Sequence, residues 1–173
     1  SGAGKTTLLQ VIGTLDAPDR GEVIIGGDRL SALSGDRRAA FRNRHLGFVF
    51  QSHQLMPEFT AEENVAIPAM ISGKNRREAM AEAGEILRRL SLGDRLDHRP
   101  AELSGGEKQR VAVERAIINH PEIVLADEPT GALDSVRKRE LLELFLRLRE
   151  EEGLSFIVVT HDRETAEIAD RSL

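Results

Sequence analysis

Five short groups of residues in this chain have the types and spacings that handle phosphate. The first, Ser1-Gly2-Ala3-Gly4-Lys5-Thr6-Thr7, runs into an apolar helical stretch through Leu8, Leu9, Val11 and Ile12. It matches the second half of the phosphate-binding loop G-x-x-x-x-G-K-[ST]. Small residues let backbone N–H groups wrap a β-phosphate, Lys5 brings positive charge to the β/γ oxygens, and the Thr6 hydroxyl can ligate Mg²⁺. The second group closes an apolar run, Ile123-Val124-Leu125-Ala126-Asp127-Glu128-Pro129. Such a run is a buried strand that delivers two carboxylates to a sheet edge. Asp127 then meets Mg²⁺ through water, and Glu128 serves as base or orients a water. Pro129 is expected to keep Glu128 extended. The competing reading has both acids merely capping the next helix.

The third group is Leu103-Ser104-Gly105-Gly106-Glu107-Lys108-Gln109. Ser104 with Glu107 three residues later fits a capping box, and Val111, Ala112, Ile117 and Ile118 supply the helical periodicity behind it. Two glycines allow close approach of a ligand to the backbone, and a helix N-terminus attracts anions. Taken alone, the stretch reads equally as a capped surface helix or as a phosphate site. The last two groups are single residues at strand ends: Gln51 after Leu46–Phe50, and His161 after Ser155–Thr160. Each could be an ordinary loop residue. The carboxyl ends of parallel strands are where α/β sheets bind ligands, which favours phosphate contacts for both.

The elements that must position these residues alternate between strand and helix. Glu22–Gly26 reads as a short strand punctuated by Gly26-Gly27, and Asp36–His45 as a basic helical connector. Leu46–Phe50, Ile123–Asp127 and Ser155–Thr160 read as buried strands. Between them, residues 52–101 lose strand signals and carry two helices, Ala61–Ile71 and Arg76–Leu90, the latter with Ala79, Ala83, Ile86, Leu87 and Leu90 on one face. Leu55, Met56, Pro57 and Phe59 at the entrance are either core or the lining of a partner groove. Gly131–Asp134 is a tight loop into a helix burying Leu141, Leu144, Phe145 and Leu148, and Glu164–Ala169 is a final helix.

Bulk properties restrict the class. The chain has 173 residues, 40% hydrophobic and 31% charged, which suits one folded domain and not a disordered chain. A net charge of -5 argues against nucleic acid as a partner. There is no cysteine, hence no disulfide or thiolate metal site, and no apolar run of membrane-spanning length. With six Phe and neither Tyr nor Trp, the usual base-stacking aromatics are absent.

The order Gly4-Lys5-Thr6-Thr7, Gln51, Leu103–Glu107, Ile123–Glu128, Gly131–Asp134, His161 resembles the ATPase subunit of an ABC transporter: Walker A, Q-loop, signature, Walker B, D-loop and H-loop. The resemblance covers essentially the whole chain. The stretches Phe50–Ala61, Asn64–Pro68 and Asp97–Gly106 further resemble the lipoprotein-releasing branch, whose relatives include macrolide exporters and cell-division ATPases.

The resemblance implies an α/β P-loop NTPase with a RecA-like parallel core (residues 1–51 and 102–173) and an inserted helical subdomain (52–101). It implies ATP and Mg²⁺, with Ser1, Gly2, Ala3, Gly4, Lys5, Thr6 and Thr7 on the nucleotide and Thr6, Gln51 and Asp127 around the metal. Glu128, His161 and Gln51 would be catalytic. Ser104, Gly105, Gly106 and Glu107 would act on the nucleotide of a second subunit in a head-to-tail dimer, with Asp134 linking the two sites. Membrane permease subunits would dock near Gln51–Phe59, at the cytoplasmic face of the bacterial inner membrane. The family's N-terminal β-subdomain, its adenine-stacking aromatic and its C-terminal part have no counterpart in these 173 residues. A fragment is therefore expected to bind ATP poorly and to be unstable alone. About 100 residues lie between Lys5 and Leu103 without sustained heptads, which disfavours the coiled-coil DNA-repair type. One cassette disfavours the translation type.

Overall fold

Apolar five-residue runs with short polar ends dictate the centre of the fold. In a computed structural model that describes residues 4–131 and 133–172, they form a three-stranded parallel sheet. The strands are β3 (Leu46–Phe50), β4 (Ile123–Asp127) and β5 (Ser155–Val159), in the order β3-β4-β5. Their register aligns Phe50, Asp127 and Val159 in one row, so the three strands end together. Parallel neighbours need crossovers, and these are helical. The helices are α1 (Lys5–Ile12), α2 (Gly35–His45), α3 (Ala61–Ile71), α4 (Arg76–Arg89), α5 (Gly105–Ile117), α6 (Ser135–Glu152) and α7 (Arg163–Glu167).

Most helix starts follow from capping chemistry. Thr60 and Glu63 form a capping box on α3, Asn75 caps α4, Asp134 caps α6, and Asp162 caps α7. Gly153 closes α6 in the left-handed conformation (φ 69°) that a glycine adopts without steric cost.

Two readings of the strands need correction. Glu22–Gly26 is not a five-residue strand: only β1 (Ile24–Ile25) and β2 (Asp28–Arg29) pair, antiparallel, around Gly26-Gly27. Both glycines have positive φ (59° and 92°), as a tight two-residue hairpin demands, and the turn consumes the strand. β5 is not buried throughout. Among the described residues β4 is the one strand paired with it, and Ser155 and Ile157 are exposed.

Two apolar cores share one helix. Val113, Ala116 and Ile117 of α5 pack with Val49, Val124 and Ala126 of the sheet and with Leu141, Leu144, Phe145 and Leu148 of α6. Val111 of α5, with Ile118 just beyond it, packs with Ala61, Val65, Ala66 and Ala69 of α3 and Ala79, Ala83 and Leu87 of α4. α5 is thus apolar on two faces because it has a core on each. It also lies hard against β3: a β-carbon at Gly47 would come within 2.4 Å of the Ala116 carbonyl oxygen. Gly47→Ala in the full-length subunit should therefore cost about 3 kcal/mol of unfolding free energy, because backbone faces the added carbon. An unchanged denaturation midpoint would show that α5 can withdraw from the sheet.

Glu114 is a buried acid on the same helix. It is 2% exposed, and among the described residues its Oε2 has no hydrogen-bond partner. Burial, aided by the nearby Glu152 carboxylate and opposed by Arg147 and Arg89, pushes its pKa up to about 8. A folded-state pKa above the ordinary 4.5 means that folding takes up a proton between those two values. The contribution is complete below pH 4.5 and is lost as pH rises through about 8. Glu114→Gln should therefore remove a stability loss of roughly 2–4 kcal/mol between pH 5 and pH 9. Parallel pH–stability curves for variant and parent would place the charge elsewhere.

Candidate functional site

Because the three parallel strands end in one row, the residues that follow them meet at one edge. Gln51 follows β3, Asp127 ends β4 with Glu128 next, and Thr160-His161 follow β5. The Glu128 N–H donates to the Val159 carbonyl (2.8 Å), carrying the ladder one residue beyond the strands. Its carboxylate then takes two contacts from one residue. His161 Nδ1 lies 2.9 Å from Glu128 Oε1, and the His161 backbone N–H donates to Oε2 at 3.4 Å. Glu128 is well covered, whereas the imidazole is largely open to solvent.

Glu128 is not extended. Its φ is 45°, in the left-handed region rare for a side-chain-bearing residue. Pro129 disfavours the right-handed α conformation at the residue before it, but the backbone turns here through positive φ instead of running on. The turn is closed by the Gly131 N–H donating to the Glu128 carbonyl (3.1 Å). Neither Asp127 nor Glu128 caps a helix, since α6 is capped by Asp134.

α1 brings the phosphate-loop residues to the same edge. Gly4 is its N-cap, left-handed at φ 73°, with open space where a side chain would stand, and no side chain caps the helix. Gly4, Lys5, Thr6 and Thr7 are exposed. The Thr6 hydroxyl donates to Asp127 Oδ1 at 3.3 Å, a contact across 121 residues. Ser1, Gly2 and Ala3 lie outside the described residues. Gln51 is exposed, and its amide nitrogen stands 3.0 Å from the position a β-carbon on Gly131 would take.

An uncapped helix start beside a lysine fits a polyphosphate. A hydroxyl paired with a carboxylate offers the hard oxygen ligands that suit Mg²⁺. The edge therefore brings together Lys5, Thr6, Asp127, Glu128 and His161, with Gln51 beside the Gly131 turn.

The Ser104 stretch forms its own unit. Ser104 Oγ accepts from the Glu107 N–H (3.3 Å), and Glu107 Oε2 accepts from the Ser104 N–H (2.7 Å). Arg95 Nε donates to Glu107 Oε1 at 3.0 Å. The two backbone and hydroxyl contacts with Ser104, then Arg95, hold Glu107 down to about 2. Both oxygens of Glu107 are therefore engaged within the chain, while Ser104 and Gly105 remain exposed, with open space around Gly105. Among the described residues, no hydrogen bond or ion pair joins residues 104–107 to Lys5, Thr6, Asp127, Glu128 or His161. Asp134 is likewise occupied locally, accepting from the Val136 and Arg137 N–H groups.

Two supporting residues have roles that the sequence does not display, although Asn64 falls within a stretch that carries the family resemblance. Asn64, fully buried in α3, donates to the carbonyls of Met56, Phe59 and Thr60 and accepts from the Met56 N–H (2.8 Å). Arg115 of α5 donates to the carbonyls of Gln54 (2.7 Å) and His53 (2.9 Å). Of the entrance residues, Leu55 packs on the helical core, while Met56 and Phe59 stay 42% and 38% exposed.

Comparison with known proteins gives concordant matches. The ABC transporter family profile matches residues 1–131. The lipoprotein-releasing system ATP-binding protein LolD of Porphyromonas gingivalis is 58% identical over 173 residues, all of this chain and 79% of the relative. LolD of Bacteroides thetaiotaomicron is 57% identical with the same coverage, and LolD of Shewanella denitrificans 52% identical over all of this chain and 74% of the relative. Among solved structures, a dimeric bacterial ABC transporter cassette superposes with TM-score 0.86 at 42% identity, covering 96% of this chain and 74% of that one. A dimeric cassette in a post-hydrolysis state bound to ADP and Pi gives TM-score 0.85 at 41% identity, covering 95% and 73%.

Proposed function

Because this chain belongs to the ABC transporter family, and is an ATP-hydrolysing P-loop NTPase whose turnover is coupled to transport, we propose that it powers a membrane complex releasing lipoproteins. The observation that carries this reading is the similarity to LolD proteins along the whole chain, at more than half identity. On this reading the subunit lies peripherally at the cytoplasmic face of the bacterial inner membrane and binds no nucleic acid. Among the described residues no helix is long and apolar enough to cross a membrane.

The mechanism follows from the edge. Lys5 and the free N–H groups at the start of α1, with residues 1–3, hold the β- and γ-phosphates. Thr6, Asp127 and Gln51 would hold Mg²⁺, which neutralises charge on the phosphate oxygens. Glu128 takes or orients the proton of the attacking water, and its contacts with His161 fix its aim. His161 and Gln51 sense the γ-phosphate.

Ser104, Gly105 and Gly106 point their open N-terminus at the nucleotide of a second subunit in a head-to-tail dimer. Glu107 holds that terminus in shape, and Asp134 links the two sites. Residues 52–101 act as a helical subdomain on the core formed by 1–51 and 102–173. The exposed Met56 and Phe59 beside Gln51 receive a cytoplasmic helix of the permease.

Reconstitution tests the reading. The full-length subunit and its neighbouring membrane subunits, placed in proteoliposomes, should release an acylated lipoprotein to an acceptor in an ATP-dependent manner. ATP turnover with no release, accompanied by activation of a wall hydrolase, would overturn it in favour of the cell-division type.

A further inference from the structure

The segment after Gln51 contains two consecutive side-chain-bearing residues in the left-handed region, His53 (φ 61°) and Gln54 (φ 47°). Such backbone is costly and persists only where its surroundings dictate it. Local bonds contribute: the His53 N–H donates to Phe50 and the Gln54 N–H to Ser52. The carbonyls of the same two residues are both taken by one guanidinium, that of Arg115, at 2.9 and 2.7 Å. Arg115 lies ten residues beyond Gly105 on the helix that Ser104 caps. Burial lowers its pKa, yet it stays charged at any physiological pH, so these are charge-assisted bonds in a poorly solvated place. Asn64 grips the next part of the loop, Met56 to Thr60, from α3. The loop therefore has two handles on two helices, and only one of them belongs to the helix with the nucleotide-facing terminus.

We infer that Arg115 is a positioning residue that ties the strained turn after Gln51 to α5, so that the Gln51 segment and the exposed Met56 follow the signature helix when it meets nucleotide. The inference rests on the reading of residues 104–106 and Gln51 given above. The planar fork matters because one donor group must serve two adjacent carbonyls. A lysine could reach one of them at a time.

The test uses the full-length subunit with Met56→Cys carrying an environment-sensitive fluorophore, and reads the emission change on adding Mg²⁺ with a non-hydrolysable ATP analogue. Arg115→Met should cut that change about fivefold and lower kcat about tenfold, with KM for ATP within about twofold of the parent. Arg115→Lys should fall between. Val113→Ala, a cavity in the same helix, is the control for simple destabilisation and should leave the emission change intact. An unchanged response in Arg115→Met, or an equal loss in Val113→Ala, overturns the proposal. If Arg115→Met does not fold, Arg115→Lys decides: a reduced response supports the tie and a full one overturns it. A label that ignores the analogue in the parent would sink the nucleotide-sensing reading of the Gln51 segment. The emission without nucleotide then decides for Arg115, since releasing the turn must shift it and an unshifted spectrum overturns the tie.

Discussion

Glu128→Gln in the full-length subunit should lower ATP turnover about a thousandfold while nucleotide binding persists. The substitution keeps the shape of the side chain and a carbonyl oxygen for one of the two His161 contacts, but removes the charge proposed to accept a proton from water. A positioned base of this kind is worth two to four orders of magnitude in rate, about 10²–10⁴-fold. Binding should survive because the groups proposed to hold the phosphates, Lys5 and the start of α1, lie on another element and do not use the Glu128 carboxylate. The variant should accordingly accumulate as a nucleotide-filled dimer, seen as a doubling of mass in light scattering on addition of Mg-ATP. Steady-state phosphate release gives the rate. Turnover near that of the parent would remove Glu128 from the chemistry and leave it as a strand-end residue with an unusual backbone.

The second large effect is expected from Ser104→Arg. The loss of the capping hydroxyl costs α5 about 1 kcal/mol, which Ser104→Ala measures separately. The arginine adds bulk at a terminus that is open, with empty space around Gly105. In a head-to-tail dimer this terminus meets the phosphate loop of the partner, so turnover should fall about a hundredfold or more, beyond what the lost cap explains. Nucleotide affinity of the single subunit should stay within about threefold of the parent, because residues 104–107 make no bond to its own Lys5 or Glu128. Mixing makes the geometry decisive. Ser104→Arg and Lys5→Ala, each inactive alone, should regain turnover when combined, since one of the two composite sites then has an intact Lys5 and an intact Ser104. No recovery on mixing would mean that each chain completes its own site.

Much of this arrangement could be read along the chain because it is local. The limits of β3, β4 and α3 coincide with apolar runs and caps a few residues apart, and the Ser104–Glu107 capping box is a contact over three residues. The same locality explains why Leu141, Leu144, Phe145 and Leu148 could be assigned to the buried side of α6. Where the reading failed, a turn or an edge was involved. The hairpin at Gly26-Gly27 shortens a strand, and β5 has the apolar content of a central strand although, among the described residues, β4 alone pairs with it.

Residue types and order alone determined a helix beginning at Lys5, carboxylates at the end of β4, a capped helix behind Ser104 and the family to which they belong. Caps, strand runs and motif spacing act over one turn or one strand, and a sequence displays that range directly. Only the tertiary structure decided that Glu128 turns through positive φ onto His161, that Thr6 reaches Asp127 across 121 residues, that Glu114 is buried with no hydrogen-bond partner for its Oε2 among the described residues, and that Arg115 of the signature helix holds the turn after Gln51. The first two depend on strand register and the last two on which faces of α5 are covered, and those are settled by packing between segments remote in the chain.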